Sequence, residues 1–241
     1  MTTVVISQPM YFPWPGFLAQ ISLADVMIWL DDAQFSKGSF TNRVQVKTVA
    51  GRKWMTIPLK DKGAFCQIRD LTAARPDWQA AHLGLLRQSL AGRPLRQEAL
   101  EMFARATDHA VLADALVDSA EIMARAMGVM PARTLISSQM NAPGQSWRRV
   151  LDMVLAVGGT RYVTGHGALN YLDHEAFEDA GIAVEYMDYN PRPWPQPFGK
   201  FTPYVTTLDL LAALPPDKAA ACLNPAVVPW RQFKARHTAR Q

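Results

Sequence analysis

Between Ser7 and Lys60 the chain gathers aromatics, prolines, paired aspartates, an Asn-Arg pair and lysines, with almost no plain helical filler between them. The runs are SQPMYFPWPGF, LDDAQFSKGSFTNRVQVK and GRKWMTIPLK. A packed interior uses aliphatic side chains in regular periods, whereas a ligand site combines aromatic walls with a few convergent polar groups. Gln8 donates and accepts hydrogen bonds, Tyr11 offers a hydroxyl, and Phe12 and Trp14 suit stacking on a ring or sugar face. Asp31 and Asp32 suit Mg²⁺ coordination, a general base, or hydrogen bonds to sugar hydroxyls. At a strand end, alternation sends them to opposite faces, so one of the two points into a site. Lys37, Asn42 and Arg43 follow at once, and Arg43 is the residue to grip a carboxylate or phosphate with two parallel bonds. The bland alternatives are a rigid proline-aromatic plug, an aspartate-capped turn and solvated lysines.

A second group lies far along the chain, in TGHGALNYLDH. His166 stands between two glycines that let backbone and ring approach a ligand, and imidazole is the natural proton carrier near neutral pH. Asn170, Tyr171, Asp173 and His174 follow within two helical turns. His166 and His174 are eight residues apart, which is no zincin spacing, and no third ligand is evident, so no metal site is read here. His174 beside Asp173 reads as the cap of the next helix. Tyr204, Thr206 and Asp209 in KFTPYVTTLDLL could return to the same cleft, with Leu208, Leu210 and Leu211 as core. The expectation is one pocket shared by Tyr11, Asp32, Arg43 and His166.

The positioning elements read as an α/β fold. Thr3 to Ser7 and Val26 to Leu30 are short apolar strands around a helix bearing Phe17, Ile21 and Ala24, a parallel βαβ unit. The SQPMYFPWPGF loop then sits at the carboxyl end of the first strand, the edge where open α/β sheets bind ligands. Thr41 to Thr48 and Lys53 to Leu59 flank Ala50-Gly51 as a hairpin. Helices follow over Pro76 to Leu90, from Pro94, and over Val111 to Met127, with Gly128 placed to end the last. Ser146 reads as the cap of a helix with Trp147, Val150, Leu151, Val154 and Leu155 on one face. Gly158-Gly159 closes it. Strands at Arg161 to Val163 and Ile182 to Tyr186 flank a helix at Asp173 to Ala180. Asn190 to Phe198 is a proline-rich loop, and Arg231 to Arg240 a frayed, solvated end. The result is a single domain over 1–241: a mainly parallel, Rossmann-like sheet with a helical insertion at about 76–140.

With 241 residues, 49% hydrophobic and 19% charged, the chain is globular and has ample core volume. A net charge of +4 is mild, which fits an anionic small substrate and argues against nucleic acid. Cys66 and Cys222 form no redox or disulfide pattern. Neither a signal peptide nor a membrane span is visible, so a cytoplasmic location is expected. The P-loop, the dinucleotide fingerprint and the G-x-S-x-G elbow are all absent, and no motif fixes a cofactor.

These segments together resemble the WbqC-like family. The likeness is carried by Gln8-Pro9, Tyr11-Phe12-Pro13-Trp14, Gly16-Phe17, Leu30-Asp31-Asp32, Gln34-Phe35, Lys37, Asn42-Arg43 and Trp54-Met55-Thr56. Gly165-His166-Gly167, Tyr171-Leu172-Asp173, Pro203-Tyr204 and Leu208-Asp209 extend it toward the other end of the chain. Many members open the first motif with His-Gln-Pro where this chain has Ser7, so a mechanism using that histidine does not carry over. The family's association with O-antigen and other surface-glycan clusters implies transfer of glycine or another acyl group to a nucleotide-linked amino sugar. In that reading Asp32 or His166 is the base, Lys37 and Arg43 hold phosphate or carboxylate, and Tyr11 and Trp14 wall the sugar. The partners are then a nucleotide sugar and an activated acyl donor. Two alternatives stand beside it: an ATP-dependent adenylating ligase and a non-catalytic nucleotide-sugar binding module.

Overall fold

The computed structural model describes residues 1–190 and 192–238. Its centre is a six-stranded sheet in the order β5-β2-β1-β6-β7-β8. The strands are β1 (Thr3–Ser7), β2 (Val26–Trp29), β5 (Arg133–Ile136), β6 (Arg161–Thr164), β7 (Ala183–Met187) and β8 (Val227–Pro229). All neighbours are parallel except β7 and β8. β3 (Arg43–Thr48) and β4 (Gly51–Thr56) form a separate antiparallel hairpin. The fold is therefore α/β, with a mainly parallel sheet of Rossmann-like character.

Strand alternation divides the core in two. Val5, Met27, Trp29 and Val163 face one layer, made of α1 (Pro15–Ile21), α2 (Trp78–Ser89), α3 (Arg96–Ala106), α4 (Leu112–Ala126), α7 (Thr207–Ala213), α8 (Pro216–Leu223) and the hairpin. Val4, Ile6, Val26, Ile28, Tyr162 and Val184 face the other, made of α5 (Ser146–Ala156), α6 (His174–Asp179) and α9 (Trp230–Thr238). Helices thus cover both faces, as a parallel sheet requires.

The strand order reverses between β1 and β6. In such sheets ligands generally bind outside the carboxyl ends of the strands at that point.

Several details depart from the sequence reading. Helices occupy Trp78 to Ala126 of the expected insertion, but Arg133–Ile136 is a strand of the main sheet, paired with β2. Asp173, rather than His174, caps α6, its carboxylate accepting from Ala176 N–H at 3.2 Å. Ser146 makes no cap bond and sits at a φ of 56°. The supposed frayed end is α9, anchored by Phe233, which is 5% exposed and stacked on Tyr186 at 4.3 Å. Arg240 of that tail and Pro191 of the proline-rich loop lie outside the described residues. Among the described residues no helix is long and apolar enough to cross a membrane.

Candidate functional site

The loop from Gln8 to Trp14 leaves the carboxyl end of β1 and dives into the α2–α4 layer. Phe12 is fully buried at a φ of 41°, a left-handed backbone that a bulky side chain adopts only under constraint. Its N–H donates to Ser119 Oγ at 2.9 Å and its ring stacks on Phe103 at 5.1 Å, which supplies the constraint. Tyr11 is 1% exposed, and its hydroxyl meets His82 Nδ1 at 2.8 Å. His82 Nε2 lies 3.1 Å from the Thr56 carbonyl, which only accepts, so the ring proton sits on Nε2 and Tyr11 donates to Nδ1. Burial raises the Tyr11 hydroxyl well above its ordinary value. The Tyr11 hydroxyl is therefore committed to His82, although Tyr11 also lines a pocket.

That network makes the fold acid-sensitive. Burial lowers the His82 pKa from 6.5 to about 4, against a smaller opposing effect of the Thr56 hydrogen bond. The unfolded chain therefore takes up a proton below about pH 6.5 that the folded chain refuses until about pH 4. Stability is complete above that window and falls through it, by roughly 3 kcal/mol at the limit. Urea midpoints are expected to drop between pH 7 and pH 4.5, and His82→Gln should flatten that dependence. An unchanged slope in the variant would assign it to other groups.

Beside Tyr11 opens a pocket of about 360 Å³, walled by Trp14, Phe40, Trp54 and Tyr204, with Arg43 and Arg52 at its polar side. Trp14 folds back over Gly16, where a Cβ would fall 2.1 Å from the indole, so glycine is required there. Tyr204 tilts against Trp14 at 5.6 Å, and the Arg43 guanidinium lies 4.3 Å above Trp54. Arg43 also donates through Nη2 to the Gly38 carbonyl, which fixes the fork. Neighbouring Asn42 is buried and donates to the Ile57 carbonyl at 2.9 Å, so it braces the hairpin. Lys37 is exposed, and Gln8 is half-buried at the end of β1.

The aspartates lead elsewhere. Asp31 is buried, and its carboxylate accepts from Ser137 Oγ, Ser138 N–H and Ser138 Oγ in the turn after β5. Asp32 faces a cleft of about 770 Å³ against α5, where Arg149 holds it with two bonds, at 3.0 and 2.6 Å. Burial alone would raise the Asp32 carboxyl, but the hydrogen bonds from Arg149 and Ser137, with the Arg149 charge, outweigh it and hold the group below its usual value. A carboxylate so held is a weak proton acceptor. Arg149 is a site residue that the sequence reading missed. Its one signal was the Arg148-Arg149 pair on the polar side of an amphipathic helix.

His166 stands at the carboxyl end of β6 and opens a short turn of 3-10 helix over His166–Asn170. Its ring is exposed, with Phe233 at 4.7 Å and His237 at 5.9 Å. Nε2 lies 2.8 Å from the Met187 carbonyl and must donate to it, which leaves Nδ1 of the neutral ring as the acceptor. Asn170 is exposed at the far end of the same turn, and Tyr171 beyond it lines the Asp32 cleft.

The expectation of one shared pocket is thereby corrected. Tyr11 and Arg43 share the aromatic pocket with Trp14 and Tyr204, Asp32 faces the cleft against α5, and His166 lines neither. The physical reason is layering: the Tyr11 loop packs with α2–α4, while α5 covers the opposite face of the sheet. Among the described residues, no group of three His, Cys, Asp or Glu side chains is placed to hold a metal ion.

The chain is similar to the uncharacterized protein Rv1507c of Mycobacterium tuberculosis (strain ATCC 25618 / H37Rv). The two are 30% identical over 239 residues, which cover 92% of this chain and 99% of the relative. No solved structure matches it. The sequence also matches the WbqC-like protein family over residues 8–221, from the Gln8 loop through both pockets and the His166 turn, and the chain belongs to that family.

Proposed function

We propose that this chain joins glycine or another acyl group, in amide linkage, to the amine of a nucleotide-linked amino sugar. The setting would be a cytoplasmic step of surface polysaccharide (O-antigen) biosynthesis. The observation that carries the reading is His166: an exposed imidazole beside the strand-order reversal, its tautomer fixed by the Met187 carbonyl and its Nδ1 left to accept a proton. The amine nitrogen attacks the acyl carbonyl carbon and the new C–N bond forms. The bond from that carbon to the donor's leaving group breaks, the leaving group departing with its electron pair. The proton lost by the amine passes to Nδ1. The Asp32 cleft, with its carboxylate kept charged by Arg149, takes the acyl donor in this scheme.

Purified protein incubated with activated glycine donors and UDP- or dTDP-linked amino sugars should yield a product heavier by the acyl group, read by mass spectrometry. No product across a broad donor panel, with protein shown to be folded, rejects the proposal. One observation favours a second reading, a non-catalytic nucleotide-sugar binding module: among the described residues, the lining of the aromatic pocket contains neither a carboxylate nor a histidine. Binding without turnover, unaffected by His166→Ala, would select that reading.

A further inference from the structure

We infer that the aromatic pocket is a binding site for the nucleoside diphosphate end of an activated sugar, with Arg43 and Arg52 as its phosphate contacts. The choice of a sugar nucleotide rests on the transfer reading above; the pocket's own chemistry supplies the rest. Phe40, Trp54 and Tyr204 are 47%, 42% and 58% exposed, and all three line this one pocket. Large aromatic faces left in contact with water around a concave site suit a planar ring, because base–aromatic stacking tolerates any base.

The charge is one-sided. Among the described residues, Arg43 and Arg52 are the charged groups of the lining, so a ligand entering here meets two cations and no opposing carboxylate. Arg43 is also pre-set. Its Nη2 is held by the Gly38 carbonyl and its face by Trp54, while its buried Nε has no hydrogen-bond partner among the described residues. A guanidinium fixed in this way presents its terminal Nη N–H groups to a phosphate with little ordering left to lose. Among the described residues Arg52 bonds only the Gln45 side chain, at 3.2 Å, and can turn to a second phosphate.

Size and position agree with a partial ligand. A volume of about 360 Å³ is at the small end of ligand pockets, and suits a base and ribose rather than a whole sugar nucleotide. The sugar must then project outward. Trp14, one wall of the pocket, meets the Tyr189 ring edge-on at 5.1 Å, and Tyr189 is two residues beyond Met187, whose carbonyl holds His166. Consecutive Cα atoms are about 3.8 Å apart, so one short segment connects the pocket wall to the proposed base.

The test is direct binding of uridine 5′-diphosphate, with no acyl donor present, measured by calorimetry and by quenching of tryptophan fluorescence. Uridine, inorganic pyrophosphate and a single-stranded oligonucleotide are run beside it. The diphosphate is expected to bind at least tenfold more tightly than uridine. Arg43→Ala and Arg52→Ala should each weaken it about tenfold or more, the loss expected for a hydrogen bond to a charged group. Arg75→Ala, which removes a surface charge paired with Asp77, should leave binding unchanged. Arg43→Ala could loosen the Gly38 turn, so Arg52→Ala, with near-ultraviolet circular dichroism to confirm the fold, keeps the test decisive. The inference is overturned if the diphosphate fails to bind at millimolar concentration, or binds no better than uridine. It is equally overturned if both arginine variants bind it normally, or if the oligonucleotide binds more tightly. Binding without transfer would reject the enzyme reading alone, and transfer without binding at these arginines would reject only this site.

Discussion

Replacing His166 with alanine is expected to slow the proposed amide formation about 10²- to 10⁴-fold, the usual contribution of a positioned general base. The expectation follows from hydrogen-bond bookkeeping. A carbonyl oxygen cannot donate, so the 2.8 Å contact to Met187 places the ring proton on Nε2 and leaves the lone pair on Nδ1. His166 also packs on Phe233 of α9, so an alanine could act by loosening that helix. His166→Gln separates the two effects: its amide can still donate to Met187 and fill the space, but it has no basic nitrogen. A folded, inactive glutamine variant supports proton transfer, whereas a glutamine variant with full activity assigns His166 a packing role. Asp32→Asn should cost less than either. Arg149 and Ser137 already keep that carboxylate charged, and a group held in this way gives up little as a base.

The two cores explain which features could be read from the sequence. β1, the hairpin and α4 announce themselves through short apolar runs, turn residues and helical periodicity, and the structure has them at nearly those bounds. β5 was hidden because Arg133 and Thr134 are exposed and only Leu135 and Ile136 are half-buried, so four residues at the sheet edge carry no alternation. β8 is three residues long and includes Pro229, which is tolerated only at an edge. α9 was obscured by its arginines, which pair with Glu178 and Asp188 at the surface while Trp230 and Phe233 supply the anchor.

The candidate site was legible as a set of residue types but not as a set of places. Tyr11 and Trp14 are three residues apart, yet one ring seals a hydroxyl inside while the other stays half-buried at a pocket wall. The difference is made by His82, which the fold brings to Tyr11 from 71 residues away, and by Gly16, two residues on, over which Trp14 folds. Asp31 and Asp32 diverge for the same reason. The Ser137–Ser138 turn claims the first, and Arg149, 117 residues away in sequence, claims the second.

The second large effect concerns Asp209, whose place in LDLL suggests little more than a helix among leucines. It is 1% exposed, accepts from Trp194 Nε1 at 2.7 Å and lies 3.8 Å from Arg93 Nη2. Lys47, 4% exposed, is near enough to feel its charge. Burial pushes the Asp209 carboxyl up, resisted by the Trp194 hydrogen bond and by the Arg93 and Lys47 charges. Burial also pushes the Lys47 ammonium down, resisted by the Asp209 charge and reinforced by the like charge of Arg93. Removing the anion leaves the buried Lys47 and the half-buried Arg93 with carbonyl and amide acceptors but no counter-charge, so Asp209→Ala is expected to cost about 3–5 kcal/mol in urea unfolding. Asp209→Asn, which still accepts from Trp194, should cost less. A loss below about 1 kcal/mol for the alanine variant would show that the cations find other partners. The damage should also travel. Lys47 donates to the Gly199 and Lys200 carbonyls and to Gln196, which hold the strap that ends at Tyr204. With the Asp209 charge gone, Lys47 keeps those acceptors but loses the anion that stabilises its charge, so the strap and the Tyr204 wall of the aromatic pocket are expected to loosen. Weakened nucleotide binding in Asp209→Asn, at a temperature where the variant is fully folded, would therefore tie this buried charge network to the pocket it supports.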